Sequence, residues 1–183
     1  NDMPFYQVGS EGGFLPAPVQ LNELVMAPAE RADVIVDFSN VPVGTEIILQ
    51  NLGPDEPFKG FNPDGTLADG EGGALDPAHP DSTGQVMQFR IMSSGDVDTS
   101  TPPMDLVLPP IEALGPEQNT QYVSLNEEVY EAEDIPSAAL LGRFDPLTGA
   151  PTPLLWSDPI TENPTLGATE VWEVKNDTED AHP

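Results

Sequence analysis

The sequence predicts an all-β fold of sandwich type, and three observations carry that expectation. Sixteen glycines and 22 prolines stand beside an apolar fraction of only 38%, the balance of short strands joined by turns and long loops rather than of helices. Short β-rich runs recur, each stopped by a cluster of turn residues. Within those runs apolar and polar side chains alternate, as a strand with one buried face requires.

Four strands are expected in the first third: Phe5 to Val8, Val19 to Met26, Ala32 to Phe38 and Glu46 to Asn51. They are broken at Gly12-Gly13, Pro28, Pro42 to Gly44 and Gly53-Pro54. In the third of them Val34, Val36 and Phe38 share one face and Asp33 and Asp37 the other, so the apolar face is expected to be buried. From Gly53 to Gly84, Pro, Gly and Asp crowd a stretch without hydrophobic periodicity, which reads as a surface loop. Gln85 to Ile91 then reads as a strand with Met87, Phe89 and Ile91 pointing inward. From Ser93 to about Gln121, Thr101-Pro102-Pro103 and Pro109-Pro110 give the stiff composition of an interdomain connector. It is expected to drape over a surface, since Leu106, Val107, Leu108, Ile111 and Leu114 would otherwise be exposed. Beyond it, Tyr122 to Leu125 opens another β unit and Val171 to Val174 is a later strand, with Trp172 and Val174 facing the core. Ala138 to Leu141 and Leu154 to Trp156 are expected as apolar anchors among turns such as Asp145 to Gly149. The expected organisation is a first, partial β domain over 1–92, a connector over 93–121, and the N-terminal part of a second β domain over 122–183.

Against 32 acidic residues there are five basic ones, Arg31, Lys59, Arg90, Arg143 and Lys175, and the formal charge is -27. Such a surface repels phosphate backbones and anionic lipid, which excludes nucleic acid as a partner. The carboxylates are spread along the chain rather than gathered in a tail, so the expectation is a solvated acidic surface that resists aggregation. Without cysteine there is neither disulfide nor thiolate, and the redox compartment is not indicated. No basic-plus-apolar leader stands at Asn1 and no apolar run approaches about 18 residues, so neither a signal peptide nor a membrane span is expected in this sequence. Asn1-Asp2-Met3-Pro4 leads at once into a strand, which reads as an internal start.

Arg31, flanked by Glu30 and near Asp33, is expected in a partly buried ion pair that fixes the turn before its strand. If well buried, such a pair costs roughly 3–5 kcal/mol to break from one side. Asp64, Asp69, Glu71 and Asp76 offer hard oxygen ligands suited to calcium, but without EF-hand spacing, and a solvated acidic loop is the stronger reading. Met3, Met26, Met87, Met92 and Met104 show no clustered spacing, so core packing is expected. His79 matches no ligand motif and reads as a loop residue. Taken alone, His182 before Pro183 would be a turn histidine.

Four blocks change that reading of His182. Gly9 to Leu15 followed by Leu24 to Phe38, with Ala27-Pro28-Ala29-Glu30-Arg31 inside it, is similar to the middle cupredoxin domain of multicopper oxidases of the bacterial laccase, spore-coat oxidase and bilirubin oxidase type. Gly84 to Arg90 resembles that domain's closing strand. Trp156 to Pro164 with Leu166 to Glu170, then Thr169 to Thr178 and His182-Pro183, looks like the run into the third domain's copper motif, His-Pro-x-His-x-His.

The resemblance implies incomplete cupredoxin-like Greek-key β-sandwiches: most of a second domain, a connector and the start of a third. It implies a parent that is a copper-dependent oxidoreductase, oxidising phenols, aromatic amines, pigments or metal ions and reducing dioxygen to water. His182 is the one residue carried over, as a ligand of the type 1 copper in the intact parent only. A type 1 site needs two neutral imidazoles and a thiolate. With two histidines and no cysteine, these 183 residues are expected to bind no copper and to be inactive alone, serving as scaffold. The implied partners are the remaining domains of the parent, its small-molecule reductant and dioxygen; self-association of the isolated piece is also expected, through unpaired edges and uncovered apolar faces. An extracellular, periplasmic or spore-coat location is what the family suggests. The alternatives are a non-catalytic acidic cupredoxin-like surface or coat module and, ranked last, a calcium-stabilised adhesion module.

Overall fold

The structure, a computed structural model, describes residues 3–130, 135–178 and 182. Among them are nine strands, one 3-10 turn and no α-helix, and no sheet closes into a barrel, so the all-β expectation holds. No helix among the described residues is long and apolar enough to cross a membrane. The chain divides into two compact units between Ile111 and Glu112, within the 93–121 run.

In the first unit β1 (Phe5–Ser10), β2 (Gly13–Leu21) and β3 (Ala32–Ile35) form a sheet in the order β2-β1-β3. β4 (Glu46–Gln50) and β5 (Gln85–Arg90) form a separate antiparallel pair. The strand expected at Val19 to Met26 begins earlier and ends at Leu21. Gly12-Gly13 is the reason: Glu11 (φ 52°) and Gly12 (φ 83°) make a two-residue reversal, and Gly13 already pairs with Ser10. Tight hairpins require positive φ at both central positions. Pro16 and Pro18 lack an N–H and sit where the ladder lapses, between the pairs Phe14↔Gly9 and Val19↔Gln7. They are tolerated because β2 is an edge strand.

Alternation did not foretell which side chains are covered. β3 stops at Ile35 rather than Phe38, Val34 is exposed, and Val36 and Phe38 are half-buried. Met87 is likewise exposed, whereas Phe89 and Ile91 are half-buried, and the Phe89 ring lies 5.2 Å from that of Phe38. Period-2 patterning says which side chains share a face; burial also needs an opposing layer. Met26, Met92 and Met104 are exposed too, in segments outside the strands, which corrects the core reading for them. In the connector run Leu106 and Leu108 are half-buried and Val107 between them stands in solvent, because alternate residues of an extended chain point opposite ways; Ile111 and Leu114 are exposed as well. The 53–84 stretch is mostly exposed yet organised, with bridges Phe61↔Leu67 and Ala68↔Ala74 and the Ala78 amide donating to Gly53 O at 2.7 Å.

The second unit is one four-stranded sheet, ordered β8-β7-β6-β9, of β6 (Asn119–Tyr130), β7 (Ile135–Phe144), β8 (Pro151–Pro153) and β9 (Glu170–Asp177). β6 pairs antiparallel with β7 and parallel with β9. Ala138 to Leu141 are therefore ladder residues of β7, not anchors between turns. Ala and Gly have weak strand preference, and here the partner β6 imposes the conformation. Leu155 and Trp156 are exposed, as are Trp172 and Val174, against expectation. β9 is an edge strand, paired only with β6. The buried centre of this unit is largely polar: Gln121, Ser124 and Asn126, with Phe144, whose ring meets Tyr122 edge-on at 5.5 Å.

Candidate functional site

The candidate site lies where β9 ends. Its parallel register places Asn176 beside Leu125 and Asp177 beside Asn126. Glu170 ties the other end of the strand to β6, accepting from Asn119 Nδ2 at 3.4 Å and Gln121 Nε2 at 3.2 Å. Lys175 Nζ donates to Gly149 O at 2.7 Å and lies 2.6 Å from Asp177 Oδ1, so the turn after β7 is fastened to β9 as well. The strand is then closed by a local turn. Asn176 Oδ1 accepts from the Thr178 amide at 3.0 Å and from Thr178 Oγ1 at 2.7 Å, a side-chain mimic of a backbone turn that draws the chain out of the ladder.

His182 stands just beyond, exposed, with Nε2 3.0 Å from Thr178 Oγ1. Pro183, the other half of the His-Pro pair, lies outside the described residues. His182 and Thr178 edge a depression of about 150 Å³ whose other walls include Leu125, Asn126, Leu140 and Leu141. Asn126 is fixed from below: its Nδ2 lies 3.2 Å from Ser124 O, 3.0 Å from Ser124 Oγ and 3.3 Å from Leu140 O. Two N–H bonds serve three acceptors, so one is shared. Asn126 Oδ1 is buried and has no hydrogen-bond partner.

The other sequence candidates lie elsewhere. His79 is exposed in the 53–84 loop, its Nδ1 accepting from the Asp81 amide at 3.2 Å. Arg31 pairs with Glu11 at 2.6 Å, not with Glu30 or Asp33, and both side chains are exposed, at 72% and 47%. The partly buried pair is thereby corrected. The two-residue reversal brings Glu11 beside Arg31, a contact invisible from neighbouring residues in sequence.

In the acidic loop, Asp64 Oδ1 accepts from the Thr66 hydroxyl at 2.7 Å and its amide at 3.0 Å, and Asp69 Oδ1 accepts from the Glu71 and Gly73 amides at 2.8 Å each. These bonds hold both carboxyls below the usual carboxylate range. The carboxylates thus cap their own turns. Among the described residues no group of three His, Cys, Asp or Glu side chains is gathered to hold a metal. The chain offers one imidazole at the end of β9 and no thiolate.

Asn176, Thr178 and Asn126 were not singled out from sequence. The spacing Asn176-x-Thr178 at a strand end is the available signal, since both side chains readily bond the local backbone; nothing in the sequence marks Asn126 as buried.

No protein-family model matches the chain. Individual proteins do. It is 34% identical over 187 residues to the multicopper oxidase LPR1 homolog 5 of rice, covering 99% of this chain and 25% of that protein. It is 34% identical over 187 residues to a laccase of Bacillus subtilis, covering 100% of this chain and 30% of the laccase. The multicopper oxidase LPR1 of Arabidopsis thaliana is 34% identical over 183 residues, with 100% and 27% covered. The chain thus spans between a quarter and a third of the length of these relatives, and over its whole length it is homologous to part of the multicopper oxidases, laccases among them.

Proposed function

We propose that this chain is the part of a copper-dependent oxidase that joins a second cupredoxin domain to the start of a third, and that His182 is a type 1 copper ligand of the whole protein. The observation carrying this reading is an exposed imidazole fixed at the end of a strand, in a chain homologous from end to end to multicopper oxidases. The substrates would be small reductants such as phenols, aromatic amines, pigments or metal ions, with dioxygen reduced to water. When bound, copper in a site of two imidazoles and a thiolate supplies one-electron redox chemistry.

What the chain itself does is mechanical and electrostatic. The β6–β9 ladder fixes the direction in which the segment after Asp177 leaves the sheet. Asn176 and Thr178 close the strand with a local turn, and His182 presents an imidazole nitrogen 3.0 Å from Thr178 Oγ1. The thiolate must come from outside these 183 residues, since the sequence holds no cysteine. The chain's own share is therefore scaffold plus one ligand.

The test is the His182→Ala substitution in the complete copper-loaded protein. The expected result is loss of the intense visible absorption of a copper–thiolate centre together with loss of oxygen consumption on a phenolic reductant. Full retention of both would remove His182 from the site. Absence of copper and oxidase activity from the complete unmutated protein would favour the non-catalytic acidic module.

A further inference from the structure

We infer that the turn from Leu155 to Asp158 is a docking knob, holding Trp156 out as a preformed anchor for an apolar pocket in the part of the protein outside these 183 residues, a role that requires the chain to be part of a longer protein but not that His182 binds copper.

Trp156 is 102% exposed, and Leu155 and Ile160 near it in sequence are exposed at 61% and 79%. Tryptophan is highly buried on average, so a fully bared indole among exposed aliphatic residues marks a contact surface. The turn that carries it is firmly made. The Asp158 amide donates to Leu155 O at 3.0 Å, closing a four-residue reversal, and Asp158 Oδ2 accepts from the Leu155 amide at 2.7 Å across the same turn. Both flanks are tied to one strand. The Leu154 amide donates to Leu141 O at 2.9 Å, and Glu162 Oε1 lies 3.4 Å from Arg143 Nε, so β7 holds the chain on either side of Trp156. A loose loop would lose its conformational freedom at the moment of contact; this backbone is ordered in advance. Tryptophan is also enriched among the few residues that dominate interfaces, where it fills a desolvated pocket.

Charge and length together choose the occupant. A second copy would bring another formal charge of -27, and anionic lipid would be repelled in the same way. The chain is matched along its whole length by relatives of which it spans only a quarter to a third, so most of the surface of such proteins lies in segments beyond it. The knob is flanked in sequence by Asp158 and Glu162. The pocket expected is therefore apolar at its floor, with cations or N–H donors on its rim.

The measurement is made on the complete protein with fluorotryptophan in place of tryptophan, the fluorine signal of Trp156 being assigned by its loss in Trp156→Phe. In the monomeric protein that signal should neither shift between H2O and D2O nor broaden with a soluble paramagnetic agent. Hydrogen exchange then locates the seat. Trp156→Ala should speed exchange about tenfold in a peptide outside these 183 residues, Trp156→Phe should change it little, and Asp158→Ala, which loosens the turn but keeps the indole, should fall between. A solvent-exposed signal in the complete monomer would overturn the inference. So would protection seen only where a dimer forms, which would make a second copy the occupant, or exchange changes absent from every peptide outside the 183 residues, which would leave the indole seated on this chain or nowhere. A complete protein without copper would remove the oxidase reading and leave each of these results standing.

Discussion

The two units keep their order by different chemistry. In the unit ending at Ile111 the polar work is done by exposed carboxylates acting over two to four residues: Asp37 on Ser39, Asp64 on Thr66, Asp69 on Glu71 and Gly73, Asp98 on Ser100. The unit beginning at Glu112 has such caps too, Asp145 on Leu147 and Thr148 and Asp158 on Leu155, but adds neutral side chains buried in a sheet, with Ser124 Oγ donating to Arg143 O at 3.2 Å and Asn126 reaching Leu140 O across the strand pair. A chain of formal charge -27 can afford charged turns only where water solvates them; inside a sheet a neutral amide costs far less to bury than a carboxylate. Local carboxylate caps are common to both units, and the buried neutral cluster of Ser124 and Asn126 belongs to the second.

The largest test of that contrast uses two glycines. Gly142 is buried opposite Ser124, and a Cβ there would fall 2.5 Å from Thr152 O and 2.9 Å from Pro153 Cα. Backbone cannot yield as a flexible side chain can, so Gly142→Ala should cost about 3 kcal/mol, read as roughly 100-fold faster hydrogen exchange across β6 and β7. Gly12, in the first unit, has positive φ and nothing within 4 Å. Gly12→Ala should cost about 1 kcal/mol, from backbone strain alone. Equal costs at both positions would erase the distinction between packing and conformation.

A smaller effect is expected at Arg31. Because the pair with Glu11 is exposed, Arg31→Ala should lower stability by about 1 kcal/mol or less, and by less still in molar salt. A salt-insensitive loss of several kcal/mol in a denaturant titration would reinstate a buried pair.

The smallest effect is local and acid-dependent. The Ser39 amide, then its side chain, lowers the pKa of Asp37, and the Ser100 amide and side chain do the same for Asp98, as with Asp64 and Asp69. Carboxyls with depressed folded values bind their protons more readily once unfolded. Their stabilisation is therefore complete above the unfolded value of about 3.9 and is lost as pH falls through the lower folded values. Amide resonances of Ser39, Thr66, Glu71, Gly73 and Ser100 should titrate with midpoints below that of a free aspartate, and Asp69→Ala should abolish the response at Glu71 and Gly73. Midpoints at or above the free value would remove the carboxylates from the turns.

How much of this was legible follows the same division. Strand cores at Phe5 to Val8, Glu46 to Gln50 and Gln85 to Arg90 could be read, because alternation and turn residues are local signals. β7 could not, since Ala138-Ala139 carry little strand preference and the ladder comes from β6. Exposure at Val34, Met87, Trp172 and Val174 was misjudged because an alternating strand does not report whether a second layer covers it. At the candidate site, His182 was named from resemblance alone. Its contact with Thr178 could not be read, because it depends on the local turn that Asn176 makes after β9.

The parallel pairing of β6 with β9 also sets an order of assembly. Tyr130 pairs with Ile135, close to it in sequence, so β6 and β7 can meet at little loop-closure cost. Asn119 and Glu170, by contrast, meet across 51 residues, and ordering so long a loop is an entropic cost met before any contact rewards it. β9 is then the last strand to join its sheet. His182 rides on the end of it, so the imidazole reaches its place only after the rest of the unit is built, and a metal ion captured there would act as a latch on a finished sheet rather than as the seed of folding.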